Sequence, residues 1–272
     1  MKKTILLMAA ATVALCLSSC KKDEPTPSPN PSPAKHLAQI LYIDDEGVAS
    51  DPYETWNWEG DQLNNITYHW LTNGNNPVVE TFTYQNNHII SSEISGGDLR
   101  ISYGYDGDHL VRMKTSDGTY SYSFAYEGDK LKTMVQTTRY VSDRDIYSFT
   151  RNYDFTWDGD NIVKVVMDLK LDDGSVSYTT VTEMTYDNSH NPYYGIGGYV
   201  SLFMSERFTN FSANNMLTYR AVTTYPDSKD EDESRATRTY TYSDDNYPVK
   251  VVEDYVTPEN SRIKKYAYRY TK

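Results

Sequence analysis

The chain has 272 residues, of which 38% are hydrophobic, 24% charged and 14% aromatic, with 26 tyrosines against 7 phenylalanines. The length fits one large all-β domain or two smaller domains. The formal net charge is −12, and no block of Lys and Arg occurs in the region expected to fold. Because phosphate backbones are bound by clustered basic residues, the composition argues against nucleic acid as a partner.

The chain begins with a predicted export signal. Lys2 and Lys3 precede an apolar run from Ile5 to Leu17, which is too short to cross a hydrocarbon layer of roughly 30 Å. The run ends in Leu17-Ser18-Ser19-Cys20, which resembles the bacterial lipobox. That resemblance implies that Cys20 is acylated and becomes the first residue of the mature chain. The alternative is a plain secretory signal in which Cys20 is incidental. Cys16 lies in the removed segment, so the mature chain cannot form an internal disulfide.

The segment after Cys20 is a predicted spacer. Proline stands at every second residue from Pro25 to Pro33, a pattern that favours semi-rigid polyproline II. Residues 21–24, Lys-Lys-Asp-Glu, resemble the short charged export signal of surface lipoproteins in Bacteroidota; an ordinary solvated linker is the alternative. The sequence thus predicts a signal peptide over 1–19, a lipidated cysteine and linker over 20–35, and one β-repeat domain over 36–272. The acyl chains would hold the protein at the outer membrane, facing the cell exterior or, alternatively, the periplasm.

A short motif recurs along the rest of the chain: an aromatic, any residue, an aromatic, an acid or amide, Gly, Asp, any residue and an aliphatic. Seven copies, two of them degenerate, begin at Trp56, Phe82, Tyr103, Phe124, Phe155, Met184 and Tyr240. Asp-Gly and Glu-Gly supply the positive φ that tight hairpin turns need, so each copy predicts a strand, a turn and a second strand.

The flanks of these turns alternate with a period of two residues. Tyr120, Tyr122 and Phe124 share one face of a strand, and Ser121 and Ser123 share the other. Such alternation is typical of an antiparallel sheet with one buried face. We expect about sixteen strands, mostly of six to nine residues, joined by short loops.

The fold class is therefore all-β. A long antiparallel meander of hairpin repeats must curl, split or close, which predicts a strongly curved sheet or a barrel-like structure. One region breaks the pattern, because Val200, Phe203 and Met204 have the spacing of a helix face. We expect one short helical insert near 198–208 that plugs an end or an open face of the sheet.

Two resemblances emerge from these residues. The hairpin units are similar to the tyrosine–aspartate repeats of Rhs-type proteins, although no Gly-Arg precedes the leucine and the anchor spacing varies, which argues against a closed toxin-encapsulating shell. Residues 36–272 look more like a family of Bacteroidota lipoproteins of unknown function with a porin-like β fold. Its marks are the hairpins, the segment from Tyr186-Asp187 to Asn191-Pro192, and an apolar insert ending in Asn214-Asn215. This resemblance implies a fold and an envelope location but no activity.

Sequence patterns for chemistry are weak. The Asp-Gly-Asp triplets lack EF-hand spacing, and their repetition at each hairpin indicates turn geometry. The histidines of the domain never stand two or four residues apart as zinc ligands do, so we interpret them as surface or turn residues: His69, His88, His109 and His190. No serine elbow or phosphate loop is found, no thiol nucleophile remains in the region expected to fold, and no carboxylate pair stands out. The sequence therefore predicts no catalytic residue, no metal site, no cofactor and no enzyme.

The aromatic residues have two interpretations. Trp56, Trp58, Trp70 and Trp157, with the tyrosines, can stack on sugar rings or can pair across strands to build the core. The repeat positions favour the core. Trp70 lies outside the repeat register and is the candidate ligand-stacking residue, with a core or rim position beside Tyr68 as its alternative.

Four functions remain open at this point. The first is a surface-exposed binding or scaffold lipoprotein whose partners are the membrane, through the anchor, and an extracellular glycan or protein. The second is a structural accessory protein of the envelope, and the third a hydrolase acting on glycans. The fourth, an outer-membrane channel, needs strands of about 9–11 residues with an outward apolar band, and the interleaved charges argue against it.

Overall fold

A computed structural model describes residues 35–271 with the exception of 75, 142–145, 196–199 and 201–207. Residues from Lys35 to Lys272 belong to one compact unit. The predicted signal peptide, Cys20 and the spacer lie outside the described residues. So does nearly all of the predicted helical insert near 198–208, of which only Val200 and Phe208 are described.

Sixteen antiparallel strands form a closed barrel in which each strand pairs with the next along the chain, and the last pairs with the first. The predicted all-β meander is confirmed, and it closes. The strands are β1 Leu37–Ile43, β2 Ala49–Glu59, β3 Gln62–Asn73, β4 Asn76–Gln85, β5 His88–Ile94, β6 Arg100–Asp106, β7 His109–Thr115, β8 Tyr120–Glu127, β9 Lys130–Val141, β10 Ile146–Asp158, β11 Asn161–Leu171, β12 Val176–His190, β13 Asn214–Thr224, β14 Glu231–Tyr242, β15 Pro248–Val256 and β16 Ser261–Tyr270.

The predicted strand lengths need correction. The strands have 7 to 15 residues and exceed the expected six to nine in more than half of the cases. The extra length comes from Thr-rich stretches such as Thr179–Thr182 in β12, because β-branched residues continue a strand even where hydrophobic alternation is weak. In the described part of the chain the helical content is a 3-10 turn at Phe208–Phe211, and no helix there has the length and apolarity that a membrane span requires.

Buried side chains point into the barrel, and many outward positions are polar. On β8, Tyr122 and Phe124 are 3% and 5% exposed, whereas the intervening Ser123 is exposed, as the alternation predicts. On β14 the outward positions carry Arg235, Thr237, Thr239 and Thr241, all of them exposed. The hydrophobic residues thus form the core inside the barrel, in one cluster on β6 to β13 and another centred on β1 to β5.

The described ends of the connection between β12 and β13 pack inside one end of the barrel. Sixteen strands ordinarily enclose a lumen wider than side chains can fill. Here the ring of Phe208 lies 5.0 Å from that of Tyr153, and the ring of Tyr193 lies 5.9 Å from that of Trp56 and 6.4 Å from that of Tyr268. The connection therefore supplies apolar side chains that contact opposite walls.

This connection lies at the end of the barrel that contains the turns of the repeat motif. We call it the turn end, because it contains the tight hairpin turns at Gly60, Gly107, Gly128 and Gly159, all with positive φ; the opposite end is the loop end. At the turn end the ladder between hairpins stops early: the last β9–β10 pair is Asp154 with Thr133.

Beyond that pair an aromatic side chain bridges the strands. Trp157 donates its Nε1–H to the carbonyl oxygen of Leu131 at 2.7 Å. Seven such bonds, between 2.6 and 3.1 Å, occur at the same offset from the ladder among the described residues; the donors are Trp58, Tyr84, Tyr126, Trp157, Tyr186, Tyr240 and Tyr270. We call these contacts the aromatic clamps. They satisfy carbonyl groups that the diverging strands leave unpaired.

A second periodic contact surrounds the same end. The residue after the turn contacts the acid of the next hairpin: His88, after Asn86-Asn87, lies 3.3 Å from Asp108, and His109, after Gly107-Asp108, lies 3.5 Å from Asp129. Their rings also pack on Tyr105 and Tyr126 at 4.6 and 4.4 Å. These contacts lie at the surface, and each contributes little stability. They account for the interpretation of His88 and His109 as turn residues.

Candidate functional site

A cavity of about 450 Å³ lies inside the barrel against β13 to β16 and the first two strands. Its floor is made by residues 191–193 and 209–210, from the two described ends of the β12–β13 connection, and its wall is made by inward-pointing side chains of the last three strands. Among the described residues, the tyrosines that line it are Tyr53, Tyr193, Tyr240, Tyr266 and Tyr268, and the charged residues are Arg238, Glu253, Arg262 and Lys264.

The charged residues form a row across neighbouring strands. Arg238 on β14 stands directly opposite Glu253 on β15, and Glu253 stands opposite Lys264 on β16. Arg238 Nε lies 2.6 Å from Glu253 Oε2, and their side chains are 30% and 17% exposed. Because side chains two residues apart share a face, Arg262 lies next to Lys264 on the inward side, nearer the loop end, with its guanidinium 5.1 Å from the ring centre of Tyr255.

Burial and mutual contact set the protonation of this wall. Burial acts to lower the pKa of Arg238, but Tyr240, Glu253 and Tyr268 outweigh it, so the net shift is upward and the guanidinium stays charged. Burial raises the pKa of Tyr240, whose hydroxyl donates to the carbonyl oxygen of Met216 at 3.0 Å. The wall thus presents a fixed cation beside neutral phenols.

The floor is built from asparagines. Asn191 donates its Nδ2–H groups to the carbonyl oxygens of Thr209 and Ser212 at 2.9 and 2.8 Å. The backbone N–H of Asn215 donates to Asp187 at 3.0 Å, and Asn210 is 5% exposed. These contacts hold both ends of the connection, so the Asn-Pro and Asn-Asn marks noted in the sequence serve to shape the cavity floor.

Trp70 lies beside this cavity and does not line it. Its indole is 39% exposed near the loop end of β3, stacks on Tyr53 with ring centres 5.8 Å apart and meets Tyr68 edge-on at 6.1 Å. Tyr53 in turn contacts the cavity tyrosine Tyr266 at 5.5 Å. Trp70 is therefore a rim residue beside Tyr68, and a role in ligand stacking stays a prediction.

The other tryptophans serve the fold. Trp56 is 4% exposed and donates to Glu54 at 3.2 Å, while Trp58 and Trp157 are clamp donors. Of the remaining histidines, His69 lies 3.0 Å from the hydroxyl of Thr55, and His190 stacks on Tyr247.

The known sequence motifs do not predict the charged wall, although the alternation along β16 indicates it. On β16, Arg262 and Lys264 share their parity with Tyr266 and Tyr268, which marks cations on the inward face of a strand. Inward charges are uncommon in a barrel with an apolar core, and they indicate a site when several adjacent strands carry them.

Two buried carboxylates lie outside the cavity lining. Glu80 is 1% exposed and accepts hydrogen bonds from Tyr68 at 2.9 Å and Ser92 at 2.7 Å. Burial raises its pKa to about 7, against the lowering effect of those two bonds. Glu54 is 2% exposed. Both carboxylates are enclosed by the core, which leaves no room for a substrate between them.

Comparison with known proteins finds similarity among solved structures alone. No protein-family model matches the chain, and no curated protein matches it. Among solved structures it is similar to a porin-like protein from Bacteroides uniformis ATCC 8492, with 12% identity, 86% of this chain and 98% of that chain covered, and a TM-score of 0.49. It is also similar to a porin-like protein from Bacteroides vulgatus ATCC 8482, with 13% identity, coverage of 87% and 99%, and a TM-score of 0.43. Both solved structures are described as porin-like proteins.

Proposed function

We propose that the protein is a cell-envelope binding protein that holds a carbohydrate in the cavity against β13 to β16. The observation that carries the proposal is the lining of that cavity, in which five tyrosines stand among amide and charged groups. Ring faces stack on the apolar faces of sugars, while amides and guanidinium groups bond to hydroxyls. A volume of about 450 Å³ falls in the range of small-molecule sites and is too small for a protein partner.

Polar and charged outward positions support an envelope location in water rather than in lipid. A barrel that spans a bilayer needs an outward apolar band, whereas outward positions on β14 carry Arg235, Thr237 and Thr239. With the lipobox at Cys20 and the proline-rich spacer, this favours a domain tethered to the outer membrane, facing the exterior.

Binding without hydrolysis fits the carboxylates. A glycoside hydrolase ordinarily uses two carboxyl groups flanking the scissile bond, and the lining contains one among the described residues, Glu253, which is bonded to Arg238. A structural role in the envelope is the remaining alternative, and it requires no ligand.

The test is isothermal calorimetry on residues 35–272, the compact unit that contains all sixteen strands. The titrants are host and dietary oligosaccharides, and we expect at least one to bind. Trp70→Ala tests the rim, with Tyr194→Ala as a matched control, because Tyr194 is exposed and follows Tyr193 in the connection at the turn end. Weaker binding in Trp70→Ala, with unchanged binding in Tyr194→Ala, would support a stacking role for Trp70. Unchanged binding in Trp70→Ala would contradict that role. Absence of binding to every glycan would leave the structural role.

The anchor has its own test. Cys20→Ala removes the acylation site that the lipobox implies, so labelled palmitate should no longer be incorporated and the protein should leave the membrane fraction. Persistent labelling of the variant would contradict the lipoprotein assignment.

A further inference from the structure

We infer that the inner face of the barrel at the loop end is a second binding surface, on which an uncharged oligosaccharide chain stacks. The inference rests on the proposed function, because it takes carbohydrate as the ligand, and it adds a site outside the cavity. We call this site the mouth surface. Its residues lie on β9 to β12 and directly after β13, and none of them lines the cavity: Tyr140, Tyr147, Phe149, Leu171, Tyr178 and Tyr225.

Alternation along β9 and β10 directs the first part of the mouth surface inward. Tyr140 has the same parity as Gln136 and Thr138, which are 3% and 0% exposed inside the barrel. It stands opposite Tyr147 of β10 in the ladder, and its ring centre lies 6.3 Å from that of Phe149. These three rings therefore face the interior of the barrel.

The ladder continues this face through β11 and β12 to the end of β13. Leu171 stands opposite Phe149, and Tyr178 stands opposite the buried Leu169. The ring centre of Tyr225, directly after β13, lies 6.1 Å from that of Tyr178. Since neighbouring strands lie about 4.8 Å apart, the face from β9 to β13 extends over about 19 Å. It is long enough for a chain of sugar rings.

These side chains are exposed although they point inward. Tyr140 is 48% exposed, Tyr147 58% and Leu171 47%. Earlier on β9, Gln136 and Thr138 are buried, so the core ends between Thr138 and Tyr140. Water in the mouth of the barrel therefore meets aromatic side chains, and a ligand that covers them removes apolar area from water.

The chemistry of the mouth surface favours carbohydrate over lipid. Four of its six members are tyrosines, whose ring faces stack on apolar sugar faces while their hydroxyls bond to sugar hydroxyls. The hydroxyl of Tyr225 donates to Asp232 at 2.7 Å, and the hydroxyls of Tyr120 and Tyr140 lie 3.3 Å apart. An acyl chain would bury these polar groups without bonding to them. The inside of a barrel is also closed to the flat surface of a globular partner.

Acidic residues beside the mouth surface favour an uncharged ligand. Asp172 and Asp173 lie in the β11–β12 turn, and Asp227 and Asp230 lie in the β13–β14 connection together with Lys229. The carboxylates repel an anionic chain by like charge. They can accept hydrogen bonds from the hydroxyls of an uncharged sugar, so a neutral oligosaccharide can approach.

The experiment measures how affinity depends on the length of the ligand. Uncharged gluco-, manno- and xylo-oligosaccharides, from the monosaccharide to the hexasaccharide, are titrated into residues 35–272 by calorimetry. We expect at least one series to bind more tightly as the chain lengthens, because a longer chain contacts more of the face. Affinity that does not rise with length would overturn the inference, and so would the absence of any binder. The proposed function would fail as well only if charged glycans also failed to bind.

Matched variants locate the contact. Tyr140→Ala and Tyr225→Ala should each weaken binding of the longest ligand by between about two- and tenfold, the range expected for one aromatic contact. Tyr140→Phe keeps the ring and should retain the affinity. Tyr194→Ala is the control, because Tyr194 is comparably exposed and lies at the turn end. Melting temperatures show whether each variant is folded, and the two alanine substitutions lie far apart in the sheet, so either one suffices for the test.

A cavity variant separates this site from the cavity. Tyr266→Leu removes a ring that lines the cavity and leaves the mouth surface unchanged. If Tyr140→Ala and Tyr225→Ala bind every ligand as tightly as the unaltered chain while Tyr266→Leu binds weakly, the inference is wrong and the proposed function stands. If the mouth variants lose affinity and Tyr266→Leu does not, the inference stands and the cavity is not the site. Losses in all three variants would support both sites.

Discussion

Replacing the buried acid Glu80 by Gln should remove a large pH dependence of stability. Glu80 is enclosed by the core, and burial raises the pKa of its carboxyl from the ordinary value of 4.5 to about 7. Between those values the folded state binds the proton that the unfolded state releases, so the free energy of unfolding falls as the pH rises. The contribution is fully present below about pH 4.5 and is lost as the pH passes through 7.

The size of the effect follows from the two pKa values. Their difference, at about 1.4 kcal/mol for each pH unit, corresponds to about 3 kcal/mol. Glutamine has nearly the same shape and no charge, and its amide can still bond to Tyr68 and Ser92. We therefore expect Glu80→Gln to gain about 3 kcal/mol relative to the unaltered chain between pH 5 and pH 8.5.

The assay is urea unfolding of residues 35–272 at both pH values. Taking the difference between variant and unaltered chain removes the contributions of all other titrating groups. Glu93→Gln is the control: Glu93 lies on the outward face of β5, is paired with Arg100 and should follow the unaltered chain at both pH values. If the difference between Glu80→Gln and the unaltered chain were the same at pH 5 and pH 8.5, the assignment of a buried, proton-binding carboxyl would be wrong.

Three further predictions concern the free energy of unfolding measured in urea. Gly159 has φ +52 and open space around it, so Gly159→Val should cost about 1–3 kcal/mol through backbone strain alone. Gly159→Asn should cost much less, because Asn86 already adopts φ 50 at the equivalent turn. Equal losses in the two variants would contradict strain as the cause. Tyr126→Phe removes one clamp donor and should lower the free energy of unfolding by about 1 kcal/mol. Its control, Tyr194→Phe, changes an exposed side chain and should have no measurable effect. An unchanged free energy of unfolding in Tyr126→Phe would show that the clamps add no stability. The buried hydroxyl of Thr138 has no hydrogen-bond partner among the residues that the structure describes, so Thr138→Val should stabilise the barrel by about 1 kcal/mol. A destabilised valine variant would imply a partner for that hydroxyl.

The local features of the fold were predictable because their causes are local. The parity of Tyr122 and Phe124 against Ser123 determines which face of β8 is buried, and the positive φ of Gly159 determines where a hairpin turns. Closure of the barrel has a different origin. Ile40 pairs with Tyr268 across almost the whole chain, and two edge strands that meet only after the sheet has curled leave no signature in either segment.

Sequence patterns predict neither the clamps nor the cavity, and the reasons are related. The acceptor of Trp157 is the backbone carbonyl of Leu131, and a carbonyl group is present at every residue, so only its position in space selects it. The repeat aromatics were assigned to the core, and their hydrogen bonds between hairpins were not anticipated. The cavity cations come from β14 and β16, which both adjoin β15 in the sheet. Alternation along each strand indicates which cations face inward, but it does not show that they lie side by side.

The clamps leave the height of the barrel wall free to change. From Tyr105 to Tyr126 the chain advances by 21 residues, and from Tyr126 to Trp157 by 31. The ten additional residues lie in β9 and β10, which have 12 and 13 residues against 7 and 8 in β7 and β8. Since each hairpin is fastened at its turn, evolution can lengthen or shorten a pair of strands without shifting the register at the turn end. Chains built in this way can vary in strand length at the loop end, and hence in what enters the barrel there, while the turn end keeps the same structure.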